Sequence, residues 1–484
     1  MEKQVSKTSS QVSPIRGKIK KRAYDGASRR QRWAKWLTNG ASANSEISLG
    51  ITTLRNRARD LVRNNPYASR IVSIIPANVV GRGIMPNIKA KDEVQREILI
   101  ALWKEFSESL TLDFDECLDF YGMQNLIMRA TPESGDIIIR RRRVSPSGGF
   151  PLRLQVLESD HLARDKTLTA KNGNKVVMGV EIDSNGTPVA YHLYSSHPGS
   201  ADIDNLSIGV ETVRVPASEV AHVFKKDRPG QVRGVTWLAP VMARLRELDE
   251  FESAMLVKQK VSACFSAFVY DIEAPVDGSD PDSELDIERL EPGLIEYLPA
   301  GKDIKFATPP MPPAGTYETY VNSVLHSIAA GVGVSYEAMT GNYAEVNYSS
   351  ARMGWLEFGR NIESWRRHML IPQFCDKVFS WFLEAAEVMG YDTSGVSVTW
   401  TPPRRELIDP TKEIPAKISA IRSGIETLSD VIRQSGGHPG DQFKEIKADN
   451  DAIDALGLIL DSDPRKVNRA GVAQIEPAQN NGED

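Results

Sequence analysis

Long apolar runs are missing from this chain. No stretch approaches the roughly 18 to 20 residues that a membrane-spanning helix requires. The opening MEKQVSKTSSQ has no apolar core of the kind a secretory leader carries. No membrane partner is therefore expected. Cysteine is scarce as well: Cys117, Cys264 and Cys375 are the three in 484 residues, far apart and without a C-x-x-C pair. That spacing gives no disulfide framework and no zinc knuckle. Reduced thiols acting as small apolar side chains suit a reducing cytoplasm.

The usual signatures of an engine are absent too. No G-x-x-x-x-G-K-[ST] phosphate loop occurs; Gly301-Lys302 is followed by Asp303. Without that cradle of backbone N–H groups, ATP-driven chemistry loses its usual support. The seven histidines, His161, His192, His197, His222, His326, His368 and His438, include no H-E-x-x-H or comparable metal spacing. No G-x-S-x-G elbow presents a nucleophilic serine. No catalytic residue, no metal ligand and no cofactor are expected. Acids outnumber bases, 64 to 59, for a formal net charge of -5. A protein that grips DNA tightly usually carries a basic balance and a basic stripe. That class is disfavoured here, whereas a conduit that lets DNA slide is not.

What is present is 41% hydrophobic residues, enough for one large core or two to three modest ones. Residues 1–40 are a polar, basic arm. Arg16, Lys18, Lys20, Lys21, Arg22, Arg29, Arg30, Arg32 and Lys35 face only Asp25 as a local acid. Such a segment buries too little to fold alone. A solvated, mobile arm is the simplest reading, and a contact with DNA or an acidic scaffold partner is the sharper one. Trp33 and Trp36 point to partial docking.

Residues 48–131 read as mainly helical. Ile71, Ile74, Ile75, Val79 and Val80 form an apolar face after Pro66, which Pro76 is expected to kink and Gly81 and Gly83 to end. Strands take over across 135–223. IIIRRRRV (137–144) is β-branched, then basic, and LRLQVLE (152–158) alternates. VVMGVEID, Ser184-Asn185-Gly186 and PVAYHLY read as a hairpin with an Asn-Gly turn. Residues 236–263 predict a long helix, with Thr236 as its cap and Pro240 in its first turn. Val241, Leu245, Leu248, Met255 and Leu256 line one side of it, too apolar to face water. Short strands around an acidic linker (277–288) come next, up to Pro309, Pro310, Pro312 and Pro313. Residues 396–401 read as a returning strand and 410–458 as helices broken at Gly436-Gly437.

Residues 317–381 carry the most informative pattern. Tyr317, Tyr320, Val321, Val324, Leu325 and Ile328 make one apolar stripe at helical spacing, and Gly331 and Gly333 are expected to end that helix. The loop after Thr340 is small, polar and aromatic: Gly341, Asn342, Tyr343, Glu345, Asn347 and Tyr348. Ser349 or Ser350 can cap a second helix, which Pro372 is expected to kink or interrupt. The loop holds no nucleophile, base or metal cluster. It reads as a loop presented between two rigid helices.

IAAGVGVSYEAMTGNYAEVNYSSAR (328–352) resembles the helix, loop, helix block of the portal proteins of lambda-like tailed bacteriophages. PGQVRGVTWLAPVMARLRELDEFESAMLVKQKVSACFSAFV (229–269) is similar to a second block of that family. RDLVRNNPYASRIVSIIPANVVGRGI (59–84) and DPTKEIPAKISAIRSGIETLSDVI (409–432) resemble its N-terminal and C-terminal blocks. All four stand in the family's order. The resemblance implies an α+β portal fold. Its parts would be a basic disordered arm (1–44), a wing (45–235), stem helix 1 (236–265), a projecting clip (266–313) and stem helix 2 (314–334). A tunnel loop (335–348), a spine helix with a returning wing strand (349–405), crown helices (406–460) and a flexible tail (461–484) would complete it.

The same resemblance implies a head-to-tail connector, a homo-oligomeric ring expected to be dodecameric, at one vertex of the capsid. Double-stranded DNA would be packaged, retained and ejected through its channel without sequence specificity. Its partners would be the large subunit of the terminase, the major capsid and scaffold proteins, and a head-completion or tail-adaptor protein. Its location would be the virion, and the host bacterial cytoplasm during assembly. Gly341, Asn342, Tyr343, Glu345, Asn347 and Tyr348 would face the DNA. Two other classes compete. One is a packaging enzyme of the terminase nuclease/ATPase type, which the missing phosphate loop speaks against. The other is a structural capsid adaptor without a DNA channel.

Two charge clusters need weighing. Asp113, Asp115, Glu116 and Asp119 match no calcium-loop spacing and read as a solvated helix start. In residues 140–143 strand alternation puts Arg140 and Arg142 on one face and Arg141 and Arg143 on the other. Pairing with carboxylates of the wing or of a neighbouring subunit is favoured over phosphate contact.

Overall fold

The computed structural model describes residues 40–144, 149–200, 211–263, 267–271, 302–306, 315–344, 348–403, 409–435, 437, 439–458, 460 and 465. The basic arm with Trp33 and Trp36, the acidic linker at 277–288, the prolines at 309–313 and nearly all of the C-terminal tail lie outside these residues.

Four helices open the described chain. Ser42 caps α1 (Ala43–Asn64) by accepting from the backbone N–H of Ser45. Asn65 ends α1 and caps α2 (Pro66–Val79), accepting from Tyr67 and Ala68. Pro66 sits at the first helical position, where a missing N–H leaves nothing unpaired. Helix α2 runs through Pro76 to Val79, and the chain then turns into β1 (Met85–Lys89). That strand lies inside a stretch whose pattern predicts mainly helix. Asp92 caps α3 (Glu93–Glu108) and Asp119 caps α4 (Phe120–Ser134). The acidic cluster between them is used locally. Asp113 accepts from the backbone of Asp115, Cys117 and Leu118, and Glu116 pairs with Arg153 at 2.8 Å.

The β region holds β2 (Asp136–Arg143), β3 (Leu152–Glu158), β4 (Leu168–Thr169), β5 (Lys175–Val177), β6 (Val180–Ile182), β7 (Pro188–Tyr194), β8 (Thr212–Pro216) and β9 (Val220–Phe224). They form two antiparallel sheets, ordered β3-β2-β9 and β4-β5-β6-β7-β8. The segment VVMGVEID is not one strand. Met178 and Gly179 both have positive φ, 48° and 83°, and make a two-residue turn closed by the Val177–Val180 pair. Such hairpin turns match the twist of the strands they join. Strand β2 alternates as expected. Arg141 pairs with Glu384 and lies over the Trp381 ring, and Arg143 reaches Glu219 at 3.6 Å. On the other face Arg142 bonds Gln155 at 2.9 Å.

Helix α5 (Met242–Ala263) starts later than its sequence predicts. Thr236 donates its hydroxyl to the Pro132 carbonyl and accepts from Leu238, so it holds a turn and does not cap the helix. Pro240 precedes the helix and does not lie in its first turn. Val241, Leu245 and Leu248 are buried as expected, but Leu256 is 56% exposed. β10 (Ala267–Asp271) and β11 (Lys302–Phe306) pair antiparallel. Helix α6 (Thr316–Val332) packs beside α5, with Phe251 stacked on Tyr317 and edge-on to Tyr320. It runs through Gly331, where a Cβ would approach Val241 to 2.5 Å, and ends at Gly333.

After α7 (Tyr336–Thr340), helix α8 (Tyr348–Trp365) begins ahead of Ser349 and Ser350, which therefore lie inside it and do not cap it from outside. Pro372 does not interrupt the helical path beyond α8. Residues Arg366–Cys375 form a π-helix that leads into α9 (Asp376–Val388). The wider i→i+5 turn accommodates a ring that would crowd the carbonyl of an α-turn. β12 (Ser397–Thr401) returns to pair with β1, and α10 (Pro410–Arg422), α11 (Leu428–Gln434) and α12 (Pro439–Ala455) close the chain.

The main core joins α2, α4, β2, β3, α6, the π-helix and α9. Trp103 is its aromatic centre, 5.1 Å from Phe120 and 5.0 Å from Phe382, ring to ring and edge-on. A second core lies under the larger sheet, with Ile138, Met178, Val180 and Tyr191. The fold is α+β. No helix among the described residues is long and apolar enough to cross a membrane.

Candidate channel loop and a buried charge hub

The loop is built on two helix ends. Gly333 closes α6 with its N–H on the Ala329 carbonyl, and Asn361 of α8 donates to the Gly333 carbonyl at 2.9 Å. Ser335 then caps α7 by accepting from Ala338, so the first part of the predicted loop is a short helix. Met339 roots this helix in the core at 2% exposure, and Arg70 of α2 donates to the Ala338 carbonyl at 3.1 Å.

Beyond the root, hydrogen bonds hold the described residues of the chain. Gly341 adopts the left-handed conformation, φ 71°, with its N–H on the Glu337 carbonyl. Asn342 donates its side-chain N–H to the Tyr336 hydroxyl at 3.3 Å, and that hydroxyl donates to Asn322 of α6 at 3.1 Å. Asn342 also accepts from Ala344, making a local turn. Tyr343 stands 64% exposed at the tip. Glu345 and Asn347 lie outside the described residues, and Tyr348 opens α8. The structure thus brings Gly341, Asn342 and Tyr343 together on one anchored turn. Tyr336, Asn322, Asn361 and Arg70 are the supports that sequence reading does not find. Only the Ser335 cap and the Gly341 stop mark α7 locally; the rest are long-range contacts.

A family model described as phage portal protein, lambda family, matches residues 29–366. The chain belongs to that family. It is 27% identical over 475 residues to the probable portal protein of Halomonas phage phiHAP-1, covering 92% of this chain and 89% of the relative. It is 24% identical over 470 residues to portal protein B of Escherichia phage lambda, covering 85% of each. A solved chain from the virion of a native gene transfer agent particle is similar at a TM-score of 0.46 and 15% identity, over 81% of this chain and 94% of that one. Portal proteins are structural proteins.

In its β region this portal chain carries a buried charge hub. Arg233 is fully buried and donates to Asp136, to the Met178 carbonyl and to the carbonyl and hydroxyl of Ser159. His222 and the backbone N–H of Gly234 also point at Asp136. Burial alone would raise the Asp136 carboxyl, but Arg233 and His222 outweigh it and hold it well below the usual carboxylate range. Burial pushes His222 down, only partly offset by Asp136. The hub ties the start of β2, β9, the turn after β3 and the linker into α5. It fixes how that helix leaves the β region.

Glu158, Asp160 and His197 converge nearby within metal-ligand distance. Residue spacing hides this trio, because His197 comes from the loop beyond the end of β7. It does not fit a metal. Arg59 already bonds Glu158 at 2.9 Å and Asp160 at 2.7 Å. Gly199 donates to Nδ1 of His197, which places the proton on Nε2, the atom facing Glu158. A guanidinium and an N–H fill the positions where a cation and a lone pair would be needed.

Proposed function

We propose that this portal protein assembles into a ring, dodecameric by its family resemblance, whose channel passes double-stranded DNA into and out of the capsid. It acts as a non-enzymatic conduit. The terminase large subunit docks on it before filling and a head-completion protein after it, while capsid and scaffold proteins hold it at one vertex. The carrying observation is the loop at 341–344, rooted by buried Met339 and ending in exposed Tyr343. A loop of this kind meets a moving surface without strain on the core. Its described residues carry no cation. Duplex DNA bears one charge per about 1.7 Å of axis, so a strongly basic constriction would bind it and brake its passage. A neutral or mildly acidic one favours sliding.

Electron-microscope class averages of the purified oligomer test this reading. A channelled ring is expected, with residues 341–344 nearest the axis. A solid disc, or a ring that carries this loop on its outer rim, would refute it. ATP hydrolysis by the purified protein would favour the packaging enzyme instead.

A further inference from the structure

Helix α8 has two unlike sides. Arg352, Leu356 and Arg360 fall in one row at i, i+4 and i+8, with Met353 beside them. All four are exposed, Met353 by 69% and Leu356 by 45%, and no described acid pairs with either arginine. Roughly half a turn away, Gly354, Phe358 and Asn361 face back toward α6 and α7. There they help to line an open groove of about 370 Å³. Small residues, Ala329, Ala330, Gly333 and Gly354, make up part of its lining, beside the stacked rings of His326 and Tyr336. Its rim is acidic, with Glu337 and Glu357, neither in an ion pair among the described residues. The Glu337 carboxylate sits over Gly354, 3.7 Å from where a Cβ would be.

We infer that the occupant of this groove is a second copy of the chain, which inserts its Arg352–Leu356–Arg360 row. The inference rests on the ring reading and names the contact that closes it. Three observations carry it. The row is apolar at its centre and basic at its ends, while the groove is lined in part by small residues with carboxylates on its rim, so shape and charge match. Each surface on its own leaves exposed apolar area or uncompensated charge. The two surfaces are different patches of one molecule, which is what a head-to-tail contact requires for ring closure; a two-fold contact would use one patch twice. Arg352 and Arg360 of one copy then meet Glu337 and Glu357 of the next, and Leu356 and Met353 cover the small-residue lining.

The test uses the full chain and two variants. One reverses the groove, Glu337→Lys with Glu357→Lys; the other reverses the row, Arg352→Glu with Arg360→Glu. Each variant alone should lose rings in native mass spectrometry while its subunit keeps the wild-type circular-dichroism spectrum. Mixed in equal amounts, the two should form rings again, with the variants in equal numbers, because each reversed surface then meets its complement. Rings from either variant alone, or a mixture that stays monomeric while both variants remain folded, would overturn the inference. If a reversal unfolds the chain, Arg352→Gln with Arg360→Gln gives the same reading, and rings of wild-type stability would overturn it. A wild-type protein that never forms rings sinks the ring reading itself; wild-type rings with indifferent variants sink only this contact.

Discussion

Arg233 and Asp136, neither with any exposed side-chain surface, meet at 2.5 Å where the linker into α5 crosses the start of β2. Neither charge is tolerable there alone. Arg55 adds a third group, 3.9 Å from Asp136 and 3.0 Å from Asp160. Arg233→Ala should therefore destabilise the β region by about 3–5 kcal/mol, since it strands a buried carboxylate. Arg233→Met combined with Asp136→Asn should lose less than the single change, because the amide can still accept from Gly234. Urea unfolding monitored by circular dichroism compares the two. A single variant as stable as the parent would contradict the clamp.

The same hub sets a pH dependence. His222 is held neutral by burial, below its ordinary value of 6.5. The unfolded chain takes up a proton below about pH 6.5 that the folded chain does not. Stability therefore rises with pH through that window and falls on acidification, by at most about 1.4 kcal/mol per pH unit for one histidine. Asp136 adds a second loss further down. Its contribution is complete above its ordinary 3.8 and disappears as pH falls toward its depressed folded value. His222→Gln should flatten the upper slope and leave the lower one. Unfolding midpoints measured from pH 8 to about pH 2 show whether they do; a midpoint that holds steady from pH 7 to pH 5 counts against a neutral buried His222.

Leu245 and Leu256 occupy the same apolar line of α5 in sequence, yet Leu245 has no exposed surface and Leu256 is 56% exposed. Leu245→Asp should break the subunit itself, by placing a charge in the core. Leu256→Asp should leave the subunit folded and reduce ring yield, because the exposed end of α5 is available to a neighbour. Thermal unfolding and native mass spectrometry of the two variants separate the effects. A folded Leu256→Asp variant with wild-type ring yield would mean that the exposed end of α5 contributes nothing between subunits.

Much of this was readable because it is local. Of the predicted α6 stripe, Val321, Leu325 and Ile328 are buried and Val324 is half-buried, while Tyr317 and Tyr320 at its start are exposed; the Asn185-Gly186 turn joins β6 to β7. The family blocks at 229–269 and 328–352 lie within the region matched by the portal model. What was not readable depends on distant partners. β1 pairs with β12 across some three hundred residues, and periodicity in 85–89 carries no trace of that. Pro372 reads as a breaker unless a π-turn absorbs it. The hub around Asp136 joins residues from five separate segments, so no spacing rule reveals it. In the loop, the composition pointed to Gly341, Asn342 and Tyr343, but the Tyr336 hydroxyl that holds Asn342 comes from a helix the loop pattern conceals.

The most direct test of a DNA-facing loop changes its charge and measures packaging. Asn342→Lys, Glu345→Lys and Asn347→Lys together add about four charge units per subunit, roughly +48 around a twelvefold constriction, enough to hold a phosphate backbone through the salt-dependent term. Asn342 lies on an exposed turn, so rings and procapsids should form normally. Packaging should stall or stop short of full length, and added salt should partly restore it. Full-length DNA packaged at an unchanged rate by this variant would contradict a loop that touches DNA.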